Sequence, residues 1–282
     1  MSELRTRMDN DMLLRGMSER TRESYIAAVA QMARFYRRSP EQVSEPEVQA
    51  YLLHMMREEK LSWSTCNIAA HGLRFLYHTT LRRDRTQFHI PAAKQPSRLP
   101  EILSREEVVR IFDATLNAKH RALLVTTYAA GLRVSEVVHL KIRDLDAARR
   151  SLRVEQGKGA KDRYTLLSPR LLEELRSYWR LYRPAVWLFP SRTGRPLDVS
   201  AAQNIYYAAK LRARITKRGG IHALRHAFAT HSLEAGTDLH AIQRLLGHGH
   251  IGSTMRYFHL AHPTLMAQRS PLDLLDLPPL TK

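Results

Sequence analysis

This chain has almost no cysteine and no long apolar run, and both features limit the classes of protein to which it can belong. Cys66 is the only cysteine among 282 residues, which excludes a disulfide framework and a cysteine-based zinc site. No run approaches the roughly 18 consecutive apolar residues of a membrane span, and the N-terminus has no apolar stretch of signal-peptide length. We therefore expect a soluble cytoplasmic protein, with Cys66 as a small core residue beside Ile68 and Ala69 on an apolar helical face.

Acidic residues are scarce relative to basic ones. The chain has 45 Lys plus Arg against 27 Asp plus Glu, a formal net charge of +18. Such an excess concentrates polyanions near the protein and speeds encounter with them. An anionic membrane surface is the second candidate partner, but the basic residues are dispersed and form no basic amphipathic anchor. The charge therefore favours a nucleic acid over a membrane.

The first hundred residues show helical periodicity and no convincing strand. Apolar residues recur at helical spacing over 18–38. Ser44 is placed to cap the next helix, with Glu47 at the capping-box position, and a third helix is predicted over about 64–79. The pattern predicts a small helical bundle over residues 1–88.

Proline density marks a break after this bundle. Three prolines fall within ten positions, which breaks periodic structure and stiffens a connection; they are Pro91, Pro96 and Pro100. We predict a linker over 89–103. Lys94 and Arg98 lie between these prolines and are candidate contacts to a DNA backbone.

The remainder predicts a second, mostly helical domain over 104–263. Ser104 and Glu107 form another capping-box pattern at its start. Strands are predicted at 151–154 and 164–167, joined as a hairpin by a glycine-containing loop. Helices are predicted at 104–116, 119–130, 132–140, 170–182, 199–213, 221–235 and 238–246. The predicted fold class is therefore mainly α (α+β), with a small antiparallel sheet.

Several cationic residues of this domain match what metal-free attack on a phosphodiester requires. Fixed arginines stabilise charge on the non-bridging oxygens, because their fork binds two oxygens and keeps its proton. Arg133 and Arg225 are the candidates. Tyr257, nine residues after His248 and in a cationic stretch, is the candidate nucleophile, since nearby positive charge or a base can activate its hydroxyl.

The hairpin loop carries a further cation. Lys158 lies between two glycines that let the loop reach into a cleft. It is either the proton donor to a leaving group or a simple phosphate contact. Lys161 and Arg163 nearby are candidate contacts to backbone phosphates.

Three histidines lie close together in the sequence. His222 and His226 share a helical face, but Ala223 stands where a zinc protease has glutamate, and no acidic third ligand is near. We therefore predict no metal site and no cofactor. His222 can face one phosphate together with Arg225, whereas His226 and His231 are predicted to pack or to support the site.

The order and approximate spacing of five motifs resemble those of the tyrosine recombinases, over essentially the whole chain. The likeness is greatest to compact Xer-like and transposon- or integron-borne integrases. The motifs are Gly131-Leu132-Arg133-Val134-Ser135-Glu136, the Gly157-Lys158-Gly159 hairpin, His222-Ala223-Leu224-Arg225-His226, Leu246-Gly247-His248, and Tyr257.

The resemblance implies a role for each matching residue. Glu136 would be an acidic residue that supports the active site. Arg133 and Arg225 would bind the scissile phosphate, and His248 would donate a hydrogen bond to it. Lys158 would donate a proton to the leaving 5′ oxygen. His222 would accept the tyrosine proton or support its transfer, and Tyr257 would form the 3′-phosphotyrosine bond.

The resemblance also implies an architecture and partners. A helical, SAM-like core-binding domain and the catalytic domain would form a C-shaped clamp on double-stranded DNA. The chain would work in a bacterial-type cytoplasm at the nucleoid, as a homotetramer on DNA, with the leucine-containing tail 264–282 docking on a neighbouring subunit. Strands would be exchanged through a Holliday junction without metal or ATP. A non-catalytic DNA-binding regulator and a type IB-like topoisomerase are the rival readings.

Overall fold

The computed structural model describes residues 3–84, 89–90, 101–155, 162–247 and 252–258. The chain divides into two compact units, Met1–Ser97 and Arg98–Lys282. The division falls inside the segment predicted as a linker, 89–103. Both ends of that segment are packed: Ile90 is buried in the core of the first unit, and Leu103 is buried in the core of the second. The predicted domain limits themselves stay predictions.

Helices and helical turns are the only regular elements among the described residues of the first unit. The predicted capping box is present, since the backbone N–H of Ser44 donates to Glu47 Oε2 at 2.9 Å. The first helix was not predicted; it buries Met8 and Met12, four residues apart on one face. The α-helices are α1 (Glu3–Leu13), α2 (Glu19–Tyr36), α3 (Glu45–Arg57) and α4 (Trp63–Arg74), with a 3₁₀ turn at Pro40–Gln42 and a π-helical turn at Phe75–Thr80.

The core of the first unit lies where α2, α3 and α4 meet, around Met32, Leu73 and Tyr77. Cys66 is 1% exposed in this core, so its predicted place is confirmed. The prediction for Ile68 is wrong, because this side chain is 41% exposed. Two residues along a helix turn the side chain by about 200°, which carries Ile68 to the face opposite Cys66.

The second unit combines helices with a small sheet. Ser104 and Glu107 form the predicted capping box, with the Ser104 N–H to Glu107 Oε2 distance at 2.7 Å. Its elements are α5 (Arg105–Asp113), α6 (Ala118–Ala129), α7 (Val134–Val138), a 3₁₀ turn (Ile142–Asp144), β1 (Leu145–Asp146), β2 (Ser151–Val154), β3 (Arg163–Leu166), α8 (Pro169–Tyr182), α9 (Val199–Arg212), α10 (His222–Glu234), α11 (Leu239–Leu246) and α12 (Gly252–Phe258).

The three strands form an antiparallel sheet in the order β1-β2-β3. Leu152 pairs with Leu145 on one side and with Thr165 on the other. The hydroxyl of Thr165 donates to the Ala130 carbonyl at 2.8 Å and so fixes β3 to the end of α6. The predicted fold class, mainly helical with a small antiparallel sheet, is confirmed. Within the described ranges, no helix has the length and apolar character to cross a membrane.

Candidate active site

One buried carboxylate organises the cations of the second unit. Glu136, in α7, is 8% exposed. Arg133 donates to it twice, from its backbone N–H at 2.8 Å and from Nη1 at 2.7 Å. Arg163 at the start of β3 donates to both carboxylate oxygens, each at 2.7 Å. Arg225 in α10 places Nη1 3.5 Å from Glu136 Oε2, so three guanidinium groups surround one acid.

The arginines keep Glu136 ionised. Burial alone raises the pKa of a carboxyl group. The hydrogen bonds and charge of Arg163, the backbone N–H of Arg133 and the charge of Arg225 outweigh burial and lower the pKa of Glu136 to about 2. The carboxylate therefore offsets part of the mutual repulsion of the arginines at neutral pH, which allows them to lie close together.

Arg225 is fully buried and fixed from two sides. Its Nη1 donates to the Gly131 carbonyl at 2.8 Å and its Nη2 to the Leu246 carbonyl at 2.7 Å. Its buried Nε has no hydrogen-bond partner among the described residues. Desolvation and then the charge of Arg133 lower its pKa to about 9, so the guanidinium remains charged at neutral pH.

The bend between α6 and α7, which brings Arg225 and Glu136 together, depends on Gly131. Its φ is +62°, and a Cβ built there would lie 2.5 Å from Phe228 Cδ1. Only glycine fits both the left-handed backbone and the close approach of α10. The bend brings the Gly131 carbonyl to Arg225 and leads directly into α7, which carries Glu136.

Tyr257 lies beside this cluster. It is 4% exposed in α12 and packs with Phe228, Ile242 and Leu246 in a small apolar cluster. Its charge, when ionised, acts on Arg225, so the two groups lie within electrostatic reach. The Tyr257 hydroxyl is 2.9 Å from Nδ1 of His226, a residue for which the sequence predicted only packing or support.

His222 contacts His226, one helical turn further along α10. The two imidazole rings meet edge to face, with centroids 4.5 Å apart. Desolvation, and then the charges of Arg225 and Arg133, lower the pKa of His222 to about 4. His222 is exposed to solvent, so we give burial less weight than the charges of the two arginines, which act in the same direction. His222 is therefore neutral at pH 7.

His231 has a separate partner further along α10. Its Nδ1 is 2.9 Å from the Tyr128 hydroxyl, and the residue is 8% exposed. Burial lowers its pKa. The supporting role predicted for His231 stays a prediction, and its hydrogen bond ties α10 to α6.

Arg163, predicted as a contact to backbone phosphates, belongs to the Glu136 cluster, and its predicted role stays a prediction. Its guanidinium is paired with Glu136, its Nε donates to the Leu245 carbonyl at 2.9 Å, and its side chain is 10% exposed. Its side chain also packs on Gly247, where a Cβ would lie 2.6 Å from Arg163 Cδ. Arg163 therefore joins β3, α7 and the end of α11. No feature of its sequence neighbourhood separates this role from a surface cation.

The other predicted site residues lie outside the described residues. These are Lys158 and Lys161 of the hairpin loop, His248, and Lys94 and Arg98 of the predicted linker. Among the predicted residues that are described, Glu136 is in contact with Arg133, Arg163 and Arg225. His222 and Tyr257 lie within electrostatic reach of Arg225. In the part of the chain that the structure describes, no group of three His, Cys, Asp or Glu side chains is arranged to hold a metal ion.

Both units of the chain match known protein families. Residues 101–263 match the phage integrase family, and residues 4–87 match the N-terminal SAM-like domain of phage integrases. The y4qK protein of Sinorhizobium fredii is 44% identical over 280 residues, covering 99% of this chain and 91% of that protein. The tyrosine recombinase XerD of Oceanobacillus iheyensis is 30% identical over 272 residues, covering 89% and 91%.

The fold is also found in solved structures. A crystal structure of a lambda integrase tetramer bound to a Holliday junction has a TM-score of 0.74 to this chain, with 17% identity, and covers 89% of this chain and 75% of the integrase. The family match covers more than half of the chain, and it includes Arg133, Glu136, Arg225 and Tyr257. The chain belongs to the phage integrase family.

Proposed function

We propose that this tyrosine recombinase cleaves and rejoins DNA at specific sites through a covalent bond between Tyr257 and a 3′ phosphate. One observation carries the proposal: the Tyr257 hydroxyl meets a histidine beside a cluster of arginines held by Glu136. A phenol needs positive surroundings or a base to become a nucleophile near neutral pH. A histidine lies at this hydroxyl, and Arg225 is within electrostatic reach of it.

The arginines would bind the scissile phosphate. Charge that develops on its non-bridging oxygens is stabilised by preorganised cations, which need not reorient during the reaction. The side chain of Arg133 is 23% exposed and supplies the accessible part of this site. Arg225 supplies a fixed charge behind it, with one buried N–H left over.

Lys158, His222 and His248 would complete the reaction. Lys158 would protonate the leaving 5′ oxygen, His248 would hydrogen-bond the phosphate, and His222 would support transfer of the tyrosine proton. The phosphotyrosine bond retains the energy of the phosphodiester, so rejoining by a 5′ hydroxyl needs no ATP. The arginines take the part that a metal ion plays in other nucleases.

Duplex DNA and further copies of this chain would be the partners. The net charge of +18 supports DNA as the partner. The lambda integrase of similar fold forms a tetramer on a Holliday junction, which supports a homotetramer here, with segment 264–282 as the docking element. That segment lies outside the described residues. We place the chain at the bacterial nucleoid, where its substrate is.

A covalent-trapping assay tests the proposal. Sites would first be selected from a random duplex library with the full chain, then built into nicked substrates that lose the 5′ hydroxyl after cleavage. In EDTA, we expect the wild type to form a covalent protein–DNA adduct and Tyr257→Phe to form none. Tyr128→Phe is the matched control, because it removes a hydroxyl that is also hydrogen-bonded to a histidine of α10.

The assay separates the rival readings. No adduct with the wild type on any selected site would favour a regulator that binds without cleaving. An adduct together with relaxation of supercoiled DNA, but without recombinant product between two sites, would favour a topoisomerase. Loss of the adduct in EDTA would contradict the metal-free chemistry.

A further inference from the structure

The start of helix α10 has no capping side chain of its own. A Ser, Asn or Asp before a helix usually accepts a hydrogen bond from one of the first free backbone N–H groups. Ser168, Asp198 and Asp238 do so at α8, α9 and α11. Gly220 and Ile221 precede α10, and neither has a side chain that can accept. A cap for α10 therefore has to come from another element.

Gln203 of α9 supplies this cap. Its Oε1 accepts the backbone N–H of Ile221 at 3.1 Å. Since a backbone N–H can only donate, the contact fixes which atom of the amide faces α10. Ile221 is 0% exposed, so water does not reach this N–H in the folded chain. Loss of Gln203 would leave a buried donor without its partner, which is destabilising.

Gly220 leaves the space that the glutamine occupies. A Cβ built on Gly220 would lie 2.7 Å from Gln203 Oε1 and 3.1 Å from the Tyr207 hydroxyl. The first distance is well inside van der Waals contact. The end of a glutamine side chain can move aside, but it then releases the Ile221 N–H. Glycine at position 220 and the cap from Gln203 therefore depend on each other.

The first turn of α10 carries residues of the proposed active site. His222 is the first residue of the helix, directly after the capped Ile221, and Arg225 follows three residues later. Arg225 has anchors of its own, because it donates to the Gly131 and Leu246 carbonyls. His222 is exposed, so its position depends more on where and how the helix begins.

We propose that Gln203 is a positioning residue, which caps α10 from α9 and thereby holds His222 beside Arg225. The proposal rests on the proposed function, in which His222 supports transfer of the tyrosine proton. A frayed first turn would let His222 move, and a displacement of about 1 Å can slow a reaction by about 10²-fold. Sequence spacing does not indicate this contact, because it joins residues 18 positions apart on different helices.

One pair of substitutions separates the acceptor from the rest of the side chain. Gln203→Met keeps the approximate size and removes the acceptor, whereas Gln203→Glu keeps an oxygen for the Ile221 N–H. Single-turnover cleavage of the nicked substrates would be measured at saturating protein, with DNA binding followed separately by gel shift. We expect Gln203→Met to bind DNA like the wild type and to cleave about 10²-fold more slowly, and Gln203→Glu to cleave at close to the wild-type rate. Asn204→Met, at an exposed position of α9, is the control and should cleave like the wild type.

Substitutions at Gly220 test the same contact from the side of α10. Gly220→Ala adds the Cβ that displaces Gln203 and should slow cleavage as Gln203→Met does. Gln203→Ala removes the cap but makes room at position 220. In that background, Gly220→Ser supplies a local cap and should recover about tenfold in cleavage rate, whereas Gly220→Ala should recover nothing. Circular dichroism would check that each variant is folded, and the Gly220 series carries the test if Gln203→Met is not.

A third comparison distinguishes positioning of His222 from general support of the fold. If Gln203 acts through His222, Gln203→Met should change cleavage little in a His222→Ala background. A role in overall stability would slow cleavage in that background as much as it does in the wild type.

Three results would overturn the proposal. The first is cleavage by Gln203→Met at the wild-type rate, and the second is an equal loss on adding Gln203→Met to His222→Ala. The third is equal cleavage by the serine and alanine variants of position 220 in the Gln203→Ala background. Absence of a covalent adduct with the wild type would instead refute the proposed function.

Discussion

Replacement of Glu136 by glutamine tests whether one carboxylate holds the arginine cluster together. Glu136 accepts hydrogen bonds from Arg133 and Arg163 and lies 3.5 Å from Arg225. Glutamine keeps the shape of the side chain and removes its charge. Three guanidinium groups then lie close together without a countercharge, two of them largely withdrawn from water.

The size of the effect follows from the pKa of Glu136. A fall from the ordinary value of 4.5 to about 2 corresponds to about 3 kcal/mol of folding free energy at neutral pH, since one pKa unit is worth about 1.4 kcal/mol. Removing one partner of a buried ion pair costs about 3–5 kcal/mol in general. We expect Glu136→Gln to lower the free energy of unfolding of the second unit by this amount.

Tryptophan fluorescence can report on the second unit alone. The chain has three tryptophans; Trp63 lies in the first unit, whereas Trp179 and Trp187 lie in the second. Urea unfolding in a Trp63→Phe background therefore follows the second unit. Glu174→Gln is the matched control, because Glu174 pairs with Arg121 at 2.8 Å but the side chains are 31% and 33% exposed, so we expect a loss below about 1 kcal/mol.

The pH dependence has a defined sign. The folded pKa of Glu136 lies below the unfolded one, so its contribution is present in full above about pH 4.5 and is lost as the pH falls towards about 2. The difference between the wild type and Glu136→Gln should therefore shrink over this range. A loss no larger than that of Glu174→Gln at pH 7, or a difference that stays constant down to pH 3, would refute the reasoning.

Two further predictions concern the bend and the charge. Gly131→Ala should destabilise the second unit by about 2–5 kcal/mol in the same fluorescence assay, because left-handed backbone costs about 1–2 kcal/mol and the clash with Phe228 adds about 1–3 kcal/mol. Gly194→Ala, with φ +76° and no atom within 4 Å of the added Cβ, should cost only the backbone part; equal losses would contradict the packing argument. Affinity for duplex DNA should fall at least about tenfold between roughly 50 and 200 mM salt, and a flat dependence in a binding titration would count against backbone contacts by the basic residues.

Local signals predicted most of the helices. Two capping boxes show this, Ser44 with Glu47 and Ser104 with Glu107. Their hydrogen bonds join residues within four positions of each other, so the sequence alone predicts them. The two-residue strand β1 has no such signal, because its formation depends on pairing with β2. The exposure of Ile68 was missed for a related reason, since the packing of neighbouring helices decides which apolar face is buried.

The candidate site also has a part that the sequence predicted and a part that it did not. Family motifs and the chemistry of arginine and tyrosine made Arg133, Arg225 and Tyr257 the candidates, because residue type and spacing are properties of the chain itself. The partners of these residues were decided by tertiary structure. Arg163 meets Glu136 across 27 positions and His226 meets Tyr257 across 31.

The sequence by itself therefore determined the class of chemistry, the family and the helical character of this protein. Only the tertiary structure decided that Arg163, predicted as a phosphate contact, pairs with the buried Glu136. It also decided that His226, predicted to pack or to support the site, contacts Tyr257, the proposed nucleophile. The physical reason is that a side chain's protonation and hydrogen bonding depend on the groups within a few ångströms of it. Long-range packing brings those groups together, and no local pattern records it.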